Sequence, residues 1–227
     1  MLVEPPQDAA RLALDRALAE AVRARLAAGA RPSPDADAIA LREALQGLSA
    51  PEVAAARAVL GRLDAAVGAP LVVWGPASQV LAADRYGLAA RVAAQPEAAL
   101  KAVRDGARAL MDLTPSNAWY GRLLAEPDLR VVAALPDHGA GVPRALLVQK
   151  TPPGPTGDDR TFWVTDSTLP NSRIADALSD AGLIAAPVIE AGGLKLFVLA
   201  GYVQAEDGRL NGAPGKLSGV IGAAPIF

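Results

Sequence analysis

Two junctions in the middle of the chain hold side chains suited to gripping an anion. At the first, the apolar run Leu71-Val72-Val73-Trp74 passes into Gly75-Pro76-Ala77-Ser78, the pattern of a buried strand feeding a Gly-Pro turn and a helix. Free backbone N–H groups at such a helix start bind carboxylate or phosphate readily. At the second, the run 109–113 leads into Asp112-Leu113-Thr114-Pro115-Ser116-Asn117. Ligands of open α/β sheets sit beyond the carboxyl ends of the strands, which places Ser78, Thr114, Ser116 and Asn117 around a bound carboxylate. The same residue types are the usual helix caps, so the more common reading makes Ser116 or Asn117 an N-cap and Thr114-Pro115 a turn.

A second group of candidates is cationic. Arg16, Arg23, Arg25, Arg31 and Arg42 lie in the first third of the chain, and each offers a fixed fork of donors to an acidic metabolite. Asp15, Glu20, Asp35 and Glu43 are interspersed with them, so a solvated face of mixed charge is the competing reading. Asp158-Asp159 lacks further oxygen ligands at a recognisable spacing and reads as a loop before a strand, with no metal site expected.

The composition removes several classes of chemistry. Cysteine is absent from the 227 residues, so thiolate nucleophiles, disulfides and Cys-ligated zinc are excluded. The one histidine, His138, lies in the loop-like Asp137-His138-Gly139-Ala140-Gly141 without a nucleophile motif nearby. Work here falls to arginines, carboxylates and backbone N–H groups, and no cofactor is expected. The net charge of −2 and the pI near 5.5, without a basic block interleaved with aromatics, argue against nucleic acid. No apolar run reaches the roughly 18 residues of a membrane span, and the acidic, proline-bearing start is unlike a signal peptide, so a cytoplasmic protein without a membrane partner is expected.

The elements that must position these groups change character near residue 70. Before it, helical spacing dominates: Leu14, Leu18, Val22 and Leu26 recur one turn apart and Gly29 closes that helix. Arg31-Pro32-Ser33-Pro34 breaks the chain, Asp35 is placed to cap a short helix ending near Gly47, and Ser49 with Glu52 has the capping-box spacing for a third helix running to Gly68. Three such helices form too thin a layer to bury their own stripes, which implies cover from the next domain or a second copy. After residue 70, strands at 71–74, near 91–93, at 109–113, 129–135 and 144–149 alternate with helices at 77–86, 96–105 and 117–125, an α/β region with some parallel pairing. A Pro- and Gly-rich linker, 151–157, precedes a last module. It comprises a strand at 161–165, a helix at 172–181, a strand at 186–190, a Gly192-Gly193 hairpin turn, and strands at 194–204 and 217–222.

Together these pieces resemble bacterial proteins that join an AroQ-type chorismate mutase domain to a prephenate dehydratase-like region. Leu71-Val72-Val73-Trp74-Gly75-Pro76 with Ala82-Ala83-Asp84-Arg85-Tyr86-Gly87 resembles the opening strand, turn and helix of the dehydratase lobe. Ala98–Val103 with Asp105-Gly106, Trp119–Leu124 and Arg130–Pro136 are similar to later parts of it. Thr156–Thr161, Phe197–Tyr202 and Val220–Pro225 are similar to an ACT domain, a ligand-sensing βαββαβ module, shortened by its second helix. The resemblance implies an α + α/β chain: a three-helix mutase-like domain over 1–69, a dehydratase-like α/β lobe over 70–150 and a truncated ACT-like module over 151–227.

The resemblance also implies site roles. Arg16 and Arg25 stand for a first-helix arginine and lysine, and Arg42-Glu43 for an Arg-Glu pair that opens the family's second helix. The Thr-Arg-Phe motif of working dehydratases is absent, Arg160-Thr161-Phe162 being a permuted look-alike, so dehydratase activity is not expected. Conversion of chorismate to prephenate needs no proton transfer and no nucleophile; the protein holds the compact conformer and sets positive charge against the developing ether-oxygen charge. Loss of one preorganised donor costs about two to three orders of magnitude in rate, and several positions depart from the family pattern, so mutase activity is expected to be weak or lost. The alternatives are a non-catalytic sensor of a small aromatic or dicarboxylic metabolite and a scaffold for another pathway enzyme. A homodimer through the N-terminal helices is expected.

Overall fold

The computed structural model describes residues 8–30, 33–87, 90–137 and 141–227; His138 and Arg31 lie outside them. Three helices come first: α1 (Ala9–Ala27), α2 (Pro34–Ala44) and α3 (Ala50–Val67). Asp8 caps α1 through its carboxylate, and Gly29 at φ +74° ends it. The capping box at α3 forms, with Glu52 Oε2 accepting from Ser49 N at 2.7 Å. At α2 the cap falls on Ser33, not on Asp35. Pro34 has no N–H and a φ suited to the first helical position, which draws the start forward and leaves Asp35 in the first turn. There the Ser33 hydroxyl holds the Asp35 carboxyl below its ordinary pKa.

The remaining elements build one nine-stranded sheet in the order β2-β1-β3-β5-β4-β9-β6-β8-β7. Strand β1 (Leu71–Trp74) lies parallel to β2 (Arg91–Val92) and β3 (Arg108–Asp112), with α4 (Pro76–Tyr86) and α5 (Pro96–Arg104) as crossovers. Strand β5 (Ala145–Gln149) runs antiparallel between β3 and β4 (Arg130–Leu135). The last strands are β6 (Asp159–Thr165), β7 (Ala185–Ala191), β8 (Leu194–Ala200) and β9 (Ser218–Pro225), with α6 (Asn171–Asp180) between β6 and β7. Strand β9 is parallel to β4 on one side and antiparallel to β6 on the other, so the sheet continues from the middle of the chain into its end. One apolar cluster does the same, combining Val72, Leu100 and Val131 with Phe162, Leu196 and Ile221.

Two element predictions need correction. The helix expected over 117–125 is a 3₁₀ segment, Trp119–Ala125. Trp119 Nε1 donates to Asp112 O at 2.7 Å and Tyr120 OH to Leu194 O at 3.0 Å, and both rings are fully buried, so two adjacent anchors override the regular α-turn. The strand expected over 194–204 stops at Ala200 because Gly201 turns at φ +80°.

The helical layer is thin, as its stripes suggest. No residue of α1 is buried, and Leu14 and Leu18 are 73% and 59% exposed. Helix α3 docks on α4 instead, meeting it at Gly61, where an added Cβ would lie 1.8 Å from the Arg85 carbonyl oxygen. Among the described residues no helix is long and apolar enough to cross a membrane.

Candidate functional site

The first candidate is the crevice at the carboxyl ends of β1 and β3. The connection from β1 leads to β2 on one side of it, and the next crossover returns to β3 on the other, the arrangement that opens a ligand crevice in α/β sheets. Gly75 at φ +95° lets the chain turn there into α4. The anion this helix start invites is already supplied by the chain. Asp112, 2% exposed at the end of β3, accepts from Ala77 N at 2.9 Å through Oδ2 and from Ser78 N through Oδ1. A Cβ on Gly75 would stand 2.3 Å from Asp112 Oδ2, so the junction closes without free space.

The four residues expected to ring a ligand there divide accordingly. Ser78 is fully buried and its hydroxyl has no hydrogen-bond partner among the described residues. Thr114 Oγ1 and Ser116 Oγ lie 3.0 Å apart, and Thr114 pairs with Asn117 in an isolated bridge. Thr114 to Asn117 thus form a closed turn whose hydroxyl bond is exposed.

The four residues assigned to mutase chemistry serve separate purposes. Arg16 lies exposed on α1 and Glu43 exposed on α2. Arg42 is spent on main-chain carbonyls: Nη1 donates to Thr156 O at 2.6 Å, and Nη2 to Asp158 O at 3.0 Å and Ile226 O at 3.1 Å. It fastens α2 to the segment before β6 and to the end of β9. Of the four, Arg25 alone faces a cavity, with Nη2 on Asp64 Oδ1 at 3.0 Å and Nη1 on Gly29 O at 3.2 Å.

That cavity, about 320 Å³, lies between the helical layer and the sheet. Its charged wall includes Arg25, Arg85 and Arg108 with Asp64 and Asp137, and its aromatic wall Tyr86 and Phe227. Arg108, the first residue of β3, donates from Nε to Ala69 O at 3.1 Å and from Nη2 to Asp64 O at 3.4 Å; among the described residues it has no carboxylate partner. Just behind the wall, Arg57 of α3 is 4% exposed. Its Nη2 meets Asp137, its guanidinium stacks 4.4 Å from the Phe227 ring centroid, and its Nη1 has no hydrogen-bond partner among the described residues. Arg85 Nε also reaches Asp137 Oδ2, at 3.2 Å, while its Nη1 donates to Arg57 O. A buried guanidinium and a half-buried one therefore share one carboxylate. Burial, and then the charge of Arg85, pull the Arg57 pKa down to about 10. Arg160 of β6, also 4% exposed, is a second buried arginine, bonded to Gly141 O at 3.1 Å and Pro136 O at 3.2 Å.

No sequence motif singles out Arg57, Arg85 or Arg108, which come from three different elements. The usable signal was a lone arginine, Arg57, inside the run Ala54-Ala55-Ala56-Arg57-Ala58-Val59-Leu60. Among the described residues no group of His, Cys, Asp and Glu could hold a metal ion.

No family model and no curated protein matches the chain. Among solved structures it is similar to one described as GqqA, a novel type of quorum quenching acylase, at 16% identity and a TM-score of 0.45, over 69% of this chain and 95% of that one. It is also similar to the prephenate dehydratase of Arthrobacter aurescens in complex with L-Phe, at 14% identity and a TM-score of 0.40, over 69% and 89% of the respective chains. Both likenesses are distant, and the functional reading rests on this chain's own side chains.

Proposed function

We propose that the protein is a non-catalytic, cytoplasmic binder of a small aromatic or dicarboxylic metabolite, acting as a regulator related to aromatic amino-acid metabolism. The ligand occupies the cavity between the helices and the sheet. The observation that carries this reading is the cavity's make-up: a volume suited to one small ligand, an apolar and aromatic body, and arginines converging from α1, α4 and β3. The final module, with its helix between the first two strands and the order β9-β6-β8-β7, suits a shortened ACT-like sensor. The open stripe of α1 suits a second copy of the chain, so the binder is a homodimer through its N-terminal helices.

Mutase catalysis is the weaker reading. It needs Arg16, Arg25, Arg42 and Glu43 around one ligand, whereas Arg16 and Glu43 face solvent and Arg42 is committed to three carbonyl groups. The test pairs two measurements on the full chain: thermal shift with phenylalanine, tyrosine and prephenate, and ultraviolet detection of chorismate loss. At least one ligand is expected to raise the melting temperature, with no turnover above that of an Arg16→Ala/Arg25→Ala variant. Turnover abolished in that variant would overturn the proposal in favour of catalysis.

A further inference from the structure

We infer that the cavity selects an apolar or aromatic acid lacking an ammonium group and discriminates against the corresponding amino acid. The inference rests on the metabolite-binding reading above and specifies its ligand class.

Among the described residues the carboxylates of the cavity wall are all engaged, while Arg108 is matched by none of them. Among the described residues Arg108, in the wall, has no carboxylate partner and donates to the main-chain carbonyls of Ala69 and Asp64, and behind the wall the buried Arg57 has an Nη1 without a hydrogen-bond partner. The carboxylates are in the reverse position. Asp64 is taken by Arg25, Asp137 by both Arg57 and Arg85, and Asp37, also in the wall, is already engaged. An incoming carboxylate can meet the Arg108 guanidinium without breaking an ion pair, whereas an incoming ammonium has to displace an arginine from an existing ion pair or go unpaired. A buried charge without a partner is strongly penalised. The body of the ligand faces Tyr86, Phe227, Leu60 and Leu147, which present rings and aliphatic groups.

Three probes with the same ring separate the terms: 3-phenylpropanoate, with the acid only; L-phenylalanine, with acid and ammonium; and phenethylamine, with the ammonium only. Calorimetric titration of the full chain at neutral pH is expected to show 3-phenylpropanoate binding at least about tenfold more tightly than L-phenylalanine, a gap of ~1.4 kcal/mol, with no heat from phenethylamine. Arg108→Gln is expected to weaken the acid by about tenfold and Arg108→Lys to restore part of the loss, with circular dichroism confirming the fold of each. Phenylalanine binding as tightly as the acid, or more tightly, would overturn the inference and leave the metabolite-binding reading standing. Silence from all three probes, and from prephenate, would remove both.

Discussion

Asp112 allows a decisive test of how the α/β lobe is built. Its carboxylate is 2% exposed and takes two backbone N–H groups at the start of α4, where the helix dipole favours negative charge. Truncation to Ala leaves those two donors buried without an acceptor. Each such loss costs about 1–3 kcal/mol, and the dipole contributes a further ~0.3–1 kcal/mol. Asp112→Ala is therefore expected to lower the unfolding free energy by roughly 2–7 kcal/mol, a large share of the ~5–15 kcal/mol typical of a folded protein. Urea unfolding followed by tryptophan fluorescence measures it directly, since Trp119 bonds to the Asp112 carbonyl and reports on the same junction. The truncation also opens an anion-sized gap against two N–H groups. Formate should then stabilise the variant more than chloride does at equal ionic strength, while leaving the parent protein indifferent. A loss below about 1 kcal/mol, or equal responses to formate and chloride, would refute the reasoning that Asp112 is the ligand of its own helix.

Four further outcomes follow from the same geometry. Ser78→Ala removes a buried hydroxyl that has no hydrogen-bond partner among the described residues, and urea unfolding is expected to show it neutral or up to ~1 kcal/mol more stable. Gly61→Ala drives a Cβ against the Arg85 carbonyl, and a drop of about 1–3 kcal/mol is expected from the same measurement as α3 is forced away from α4. Arg42→Ala should free α2 and speed hydrogen exchange there, whereas Arg16→Ala should leave exchange unchanged, because only Arg42 joins its helix to residues 156, 158 and 226. Burial pushes the Tyr120 phenol up to about 12, above its ordinary value near 10. The folded state thus holds that proton longer than the unfolded chain does, and this stability, present below pH ~10, is lost as pH rises towards 12. Comparison with Tyr120→Phe by denaturation at several alkaline pH values isolates the effect.

How much of this was legible in the sequence varies with the range of the interaction. Strands β1, β3, β4 and β5 were readable because each is a short apolar run between turn signals, and α3 and α4 because Ser49, Glu52, Gly75 and Pro76 mark their starts within a few residues. The 3₁₀ segment at 119–125 was not, because its shape is set by Asp112 and Leu194, the latter some seventy residues away. The union of β4 with β9 was likewise hidden, since both strands offer the same apolar face whether they share a sheet or not.

The candidate site repeats that division on a smaller scale. A helix start beside small polar residues is a local signature of an anion site, and α4 does hold an anion, but one drawn from β3 of the same chain. A local pattern establishes the demand for negative charge without disclosing whether a ligand or a distant residue meets it. Unmet demand lies instead at Arg108 of β3, which the fold sets in one cavity wall with Arg25 of α1 and which has no carboxylate partner among the described residues. In sequence Arg108 resembles an arginine of a solvated face, because its partial burial and its want of a carboxylate partner exist only once the helices lie against the sheet. An arginine therefore becomes a ligand candidate through the partners the fold denies it, so the cavity, and not the helix start, is where a small acid is to be sought.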